Sequence, residues 1–201
     1  INYFPYISKT YNSVSGFNEN KVGAEVFLNT GTGKQINLTV NPDFGQAESD
    51  EVIVNFSAQE TFYSEKRAFF NENQSLFDLS HYDRYRVINT RRIGAASSYD
   101  CEISSNENDC NNAKKSYTDV DFALRYTQKN SSNDIGIFVA QESDELFTKG
   151  KSFYALRSKN MVGTRSIGYF LTHVVDNFKN EKATVNVIDF TNVKSNKLTI
   201  Y

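Results

Sequence analysis

Tryptophan is absent from this chain, and proline, cysteine and histidine occur only twice each. The two histidines, His81 and His173, lie far apart in sequence and have no neighbours that would complete a catalytic triad or a zinc site. Scarce proline beside 12 tyrosines and 16 phenylalanines, with plentiful Asn, Ser and Thr, favours β-strands separated by polar turns. No charge of one sign predominates. The 22 Lys and Arg stand against 24 Asp and Glu, a net charge of −2, which removes the electrostatic case for a nucleic-acid partner. No apolar run approaches about 18 residues, so a transmembrane helix is excluded. A transmembrane β-barrel is not, because its strands alternate lipid-facing and lumen-facing residues. A phosphate loop is also missing: Gly31-Thr32-Gly33-Lys34 lacks the full spacing and reads as a hairpin turn.

What the chain does have is alternation. From Tyr117 to Gln128, Val120, Phe122, Leu124 and Tyr126 fall on one face, and Asp119, Asp121, Ala123, Arg125 and Thr127 on the other. That period of two predicts a strand with one apolar face. Val22 to Asn29, Gln35 to Asn41, Asp134 to Gln141, Ser152 to Lys159, Thr164 to Val174 and Ala183 to Val193 read the same way, separated by Gly- and Asn-rich turn signals. Short connections at Thr30 to Lys34 and Lys129 to Asn133 alternate with longer ones at Ala95 to Ser116 and Glu142 to Gly150, the asymmetry of an outer-membrane barrel. A β-sandwich shows short strands at regular spacing too, and periodicity alone does not separate the two. No long helix is expected; Ser57 to Asn71 has room for one or two turns.

The densest chemistry lies between Asn41 and Gly94, where charged residues crowd among Phe44, Phe56, Phe62, Tyr63, Phe69 and Phe70. Unpaired buried charge is costly, so this composition suits a wall with one wet and one apolar face. Within it Asn41-Pro42-Asp43-Phe44-Gly45-Gln46, Glu60 to Phe70 and Thr90-Arg91-Arg92-Ile93-Gly94 resemble the signature of a family of large bacterial outer-membrane proteins. Phe138 to Glu142, Phe153 to Arg157, Ile167 to Phe170 and Val187 to Phe190 look like later barrel strands of that family. Ala68 departs from the usual proline. The resemblance implies an antiparallel barrel distantly similar to TonB-dependent receptors, preceded by a periplasmic domain similar to carbohydrate-binding module family 9. It also implies glycan or other nutrient binding or uptake.

The expectation is therefore all-β: residues 1–201 as one sector of a transmembrane β-barrel, with 41–73 folded against the lumen. The start at Ile1 and the strand-like end at Tyr201 read as a fragment, with the carbohydrate-binding-like domain and the rest of the barrel outside it. The expected localisation is the bacterial outer membrane and the expected partners are its lipid and a glycan. Asp43, Glu48, Asp50, Glu60, Glu65, Lys66, Arg67, Glu72, Arg91 and Arg92 form the expected lumen charge network or ligand-binding set. Its acids and bases can pair with one another, which argues for structure over acid–base catalysis. No catalytic residue, cofactor or metal is assigned. Cys101 and Cys110, in the polar stretch Ser97 to Lys115, suit a disulfide formed in an oxidising compartment, with two free thiols as the alternative. The acidic residues around them offer calcium-type oxygens but no EF-hand pattern, and a solvated loop is the plainer reading. The rival functions are a soluble glycan-binding β-sandwich and an enzyme acting on polysaccharide.

Overall fold

The alternating segments pair into a single sheet. The computed structural model describes residues 1–12, 17–43, 65–72, 74–81, 85–101, 107–115 and 117–192. In chain order it has β1 (Asn2–Asn12), β2 (Phe17–Asn29), β3 (Lys34–Val40), α1 (Ala68–Asn71), α2 (Gln74–Phe77), β4 (Ser80–His81) and β5 (Tyr85–Arg86). There follow a 3-10 turn (Thr90–Arg92), α3 (Glu107–Ala113), β6 (Val120–Lys129), β7 (Asn133–Glu142), β8 (Lys151–Val162), β9 (Arg165–Asp176) and β10 (Glu181–Asn192). Eight strands form one antiparallel sheet in the order β1-β2-β3-β6-β7-β8-β9-β10, and β4 pairs only with β5. The sheet is open, with β1 and β10 at its edges. Everything from Asn41 to Asp119 is thus an excursion between two neighbouring strands.

The period of two gives the sheet two unlike faces. One cross-strand row runs Val26, Leu38, Leu124, Val139, Tyr154, His173. The adjacent row, on the opposite face, runs Phe27, Asn37, Arg125, Phe138, Ala155, Thr172. The second face is polar toward β1–β3 and is covered by the excursion around β6–β9. Phe69, Phe70, Leu76, Phe77 and Ile93 from the excursion pack there against Val120, Ala123, Phe138, Ala140, Ala155 and Phe170. The rings interlock edge-on or tilted, with Phe70 to Phe138 at 6.0 Å and Phe77 to Phe170 at 6.2 Å. Each buried phenylalanine contributes roughly 2–3 kcal/mol before the entropy of ordering. Single helical turns such as α1 and α2 do not persist alone; this packing holds them. Gly136 makes it possible, since a Cβ there would lie 2.6 Å from Phe77 Cζ and 2.9 Å from Leu76 Cδ2.

Two sequence expectations are corrected. Val120 does not share the face of Phe122, Leu124 and Tyr126; it is 1% exposed within the core. A bulge is the cause: Val120 pairs with Glu142 and Phe122 with Gln141, so Asp121 is an extra residue that shifts the phase. The polar stretch around the cysteines contains a helix, α3, whose first turn carries Glu107 and Asp109, placed where a helix N-terminus favours acids. The helical part of Ser57 to Asn71 is confined, among the described residues, to Ala68–Asn71, and a second turn follows at Gln74–Phe77.

Candidate functional site

The excursion is tied to itself and to the sheet by carboxylates whose oxygens are already committed. Glu65 receives Arg67 through two parallel bonds, Nε to Oε1 and Nη2 to Oε2, both 2.8 Å. Thr90 Oγ1 donates to Glu65 Oε2 at 2.7 Å. Arg67 spends two further donors on the carbonyls of Ile93 and Thr90, each at 2.8 Å. The Glu65 side chain is only 1% exposed. Burial alone would push its carboxyl up, but the Arg67 guanidinium and the Thr90 hydroxyl outweigh this and hold it below the usual carboxylate range.

Glu72, just after α1, accepts from Gln35 Nε2 and Asn37 Nδ2 on β3 and lies 3.8 Å from Arg125 Nη2 on β6. Glu142, at the end of β7, accepts the Gly94 and Lys151 backbone N–H groups at 2.9 and 3.0 Å. Gly94 has φ +78, a conformation that glycine adopts without strain. Further along the same face, Arg157 on β8 makes a two-pronged pair with Asp189 on β10. Arg67, Arg125 and Arg157 each lie over a phenylalanine ring, those of Phe70, Phe69 and Phe170, at 4.1, 5.1 and 5.7 Å. Weakly hydrated guanidinium on an aromatic face explains how so much charge coexists with so many rings.

A second cluster sits at the end of the sheet where β3 leads into the excursion. Lys21 on β2 pairs with Asp119, and Lys115 bridges Asp119 and Glu145 at 3.3 Å each. Both ammonium groups lie near the Tyr117 ring, at 5.3 and 5.9 Å. Burial would raise the Asp119 carboxyl, yet the bonds and charges of Lys21 and Lys115 hold it low. Burial likewise opposes the Lys115 charge, and the Asp119 and Glu145 carboxylates overcome it and push Lys115 up. These groups line an open cleft of about 1020 Å³ together with Asn20, Asn41, Asn112 and Leu146. Cys101 and Cys110 are disulfide-bonded, with Cα atoms 5.5 Å apart, and tie α3 down beside it.

The charged set expected from sequence is only partly gathered here. Glu65, Arg67 and Glu72 stand on the polar face as described. Asp43 lies apart and accepts from Ser8 Oγ at 2.8 Å. Lys66 is exposed, and Arg91 and Arg92 occupy the 3-10 turn rather than a strand, with Arg92 exposed. Glu48, Asp50 and Glu60 lie outside the described residues. The sequence reading gave no role to Glu142, Arg157, Asp189, Lys21 or Glu145. A signal was present, because Glu142, Arg157 and Asp189 each break an apolar strand pattern. Among the described residues no three His, Cys, Asp or Glu side chains converge as a metal site. Glu65, Glu72 and Glu142 are engaged by fixed donors, which suits a structural clamp better than a proton-transfer pair.

Fold and site together define an all-β protein: one wide antiparallel sheet, bare and apolar on one side, with a charge-clamped excursion on the other. The chain belongs to the family described as a domain of unknown function, DUF5916, whose model matches residues 1–140. That span covers β1 to most of β7, and β8 to β10 continue the same meander. No curated protein and no solved structure matches the chain.

Proposed function

We propose that this chain is part of the wall of a transmembrane β-barrel in the outer membrane of a Gram-negative bacterium, serving glycan or other nutrient uptake. The observation that carries the membrane reading is the bare face. Every one of the eight strands presents a large apolar side chain to the outside, among them Ile7, Val22, Ile36, Phe122, Ile137, Tyr154, Ile167 and Ile188. Ile7 is 79% and Ile188 75% exposed. A contiguous apolar surface of this width does not persist in water, whereas hydrocarbon satisfies it. Strand length fits, since β6 and β7 have 10 residues each and a tilted membrane strand needs about 9–11. So does loop asymmetry: the turns after β2, β6 and β8 are tight, and the excursion and the 143–150 loop share the other end.

The solute class rests on the family resemblance, aided by the cleft at the loop end, whose ion pairs are mutually satisfied and which offers fixed donors and acceptors to a neutral polar solute. An N-terminal carbohydrate-binding-like domain outside this chain belongs to the same proposal. Fractionation tests the membrane part. The protein is expected in the detergent extract of outer membranes and to migrate faster on gels when unheated. A monodisperse protein that stays in solution without detergent would overturn the reading in favour of a soluble module.

A further inference from the structure

We propose that the strands cross the bilayer at a tilt of roughly 30° from its normal, so that both headgroup layers meet the bare face along oblique lines. The inference rests on the membrane reading above and adds where the lipid boundaries run. On the bare face each strand carries one apolar run. It is Ile1 to Ile7 on β1, Ile36 to Val40 on β3, Ile135 to Val139 on β7 and Ile188 to Phe190 on β10. Toward the loop end the run gives way to Lys9 on β1, Asn20 on β2, Gln141 on β7, Ser152 on β8, His173 on β9 and Asn186 on β10. Toward the tight turns it gives way to Lys34 on β3, Gln128 on β6, Asn133 on β7, Ser158 on β8, Arg165 on β9 and Asn192 on β10. Tyr11, Val162 and Val175 lie beyond these limits, each at or next to a strand end.

Both limits slide the same way across the sheet. Register carries Tyr3 through Val26, Leu38, Leu124, Val139, Tyr154 and His173 to Thr184. It carries Pro5 in the same manner to Lys182. Tyr3 and Pro5 are the middle of the β1 run, yet Thr184 and Lys182 lie outside the run on β10, which is centred between Ile188 and Phe190. The apolar band therefore shifts by about six residues along the strands over the seven steps from β1 to β10. At roughly 3.3 Å per residue and roughly 4.8 Å between strands, that is about 20 Å over about 34 Å, an angle of roughly 30°. Hydrocarbon covers a level band, so a band oblique to the strands means strands tilted by that angle. Closed membrane barrels tilt by about 35–45°. Thickness agrees too. Asn133 and Gln141 bound the β7 run, and their separation of about 26 Å projects to about 23 Å at this tilt, against an apolar band of about 25 Å. A face shaped to a protein partner carries no requirement that both limits drift in one direction.

Nitroxide spin labels report depth through their collisions with oxygen, which concentrates in hydrocarbon, and with a water-soluble nickel chelate. Tyr3→Cys, Thr184→Cys and Phe190→Cys are labelled one at a time in the full-length protein, reconstituted in phosphatidylcholine vesicles. Cys101 and Cys110 are bonded to each other and do not take the label. Tyr3→Cys and Thr184→Cys share a row, yet their depths should differ by about 17 Å, the first in hydrocarbon and the second among headgroups. Tyr3→Cys and Phe190→Cys, from different rows, should lie at the same depth. Equal depths at 3 and 184, with both labels in lipid, would overturn the tilt and leave the membrane reading standing. Labels that all meet the nickel chelate freely and gain nothing from lipid oxygen would sink both. Should Tyr3→Cys fail to fold, Val26→Cys against His173→Cys repeats the comparison within the same row. Their depths should differ by about 12 Å, and equal depths would again overturn the proposal.

Discussion

Gly94 donates its backbone N–H to Glu142 at 2.9 Å, across 48 residues of sequence. The other oxygen of that carboxylate takes the Lys151 N–H at 3.0 Å. One buried side chain therefore fastens the excursion to the ends of two strands. Glu142→Ala leaves both N–H groups without a partner and should cost about 2–4 kcal/mol. Glu142→Gln keeps one acceptor and should cost roughly half as much. Denaturant or thermal midpoints measure this, and an unmoved midpoint for Glu142→Ala would show that the excursion is held elsewhere.

Arg67→Ala removes the guanidinium from the Glu65 carboxylate, which keeps the Thr90 hydroxyl, and takes its donors from the carbonyls of Ile93 and, in part, Thr90. In so dry a place the loss should be about 3–5 kcal/mol. Arg67→Lys should recover little, because one ammonium cannot reproduce the fork.

The pH dependence of the same pair follows from its sign. Glu65 is held low in the folded protein, so its contribution is complete above the ordinary glutamate value of about 4.3. It is lost as pH falls through the lower folded value. Glu65→Gln should flatten that acid limb of the stability curve. A wild type and a Glu65→Gln variant that lose stability in parallel under acid would refute this assignment.

The bulge at Asp121 makes a facing prediction. Cysteines at 122, 124 and 126 should be shielded from a polar maleimide in intact membranes, while one at 121 should react. Leu124→Arg should cost about 2–4 kcal/mol if it meets the bilayer near its midplane. Equal labelling at 121 and 122 would remove the case for a lipid-facing side.

Reduction of the Cys101–Cys110 bond should cost about 2–3 kcal/mol, felt locally because the closed loop is short. Hydrogen exchange should quicken in Glu107–Ala113 and at Lys115 while β6 to β9 stay protected. Exchange that is indifferent to reductant would mean that packing alone orders α3.

The strands were legible in the sequence because their period is set by side chains that alternate without regard to distant partners. Leu124, Leu156 and Tyr169 announce their face one residue at a time. The phase of Val120 was not legible, since one extra residue at Asp121 is invisible until β7 is in register. Among the charges, the Glu65–Arg67 pair could be suspected from proximity in sequence. The partners of Glu72 and Glu142 could not, because Gln35, Asn37, Gly94 and Lys151 reach them only through sheet order. The first strand was the larger omission. Asn2–Asn12 carries apolar residues on both faces, among them Tyr3, Phe4, Tyr6 and Ile7, and its pairing with β2 from Phe27 back to Phe17 shows only in the sheet.

The placement of the excursion between adjacent strands bears on the order of folding. β1 to β3 and β6 to β10 are each strings of hairpins, with contacts that are local and quick to form. The seam joining them pairs Val40 with Phe122 and Lys34 with Gln128, and its closure carries the loop entropy of everything between. The two blocks should therefore zip first and the seam last. Phe69, Phe70 and Phe77 rest on β6 to β9, while Glu72 grips β3, so the excursion touches both blocks. It is expected to act as the clasp that draws them together, and pulse-labelled amides of β3 should gain protection together with those of α1.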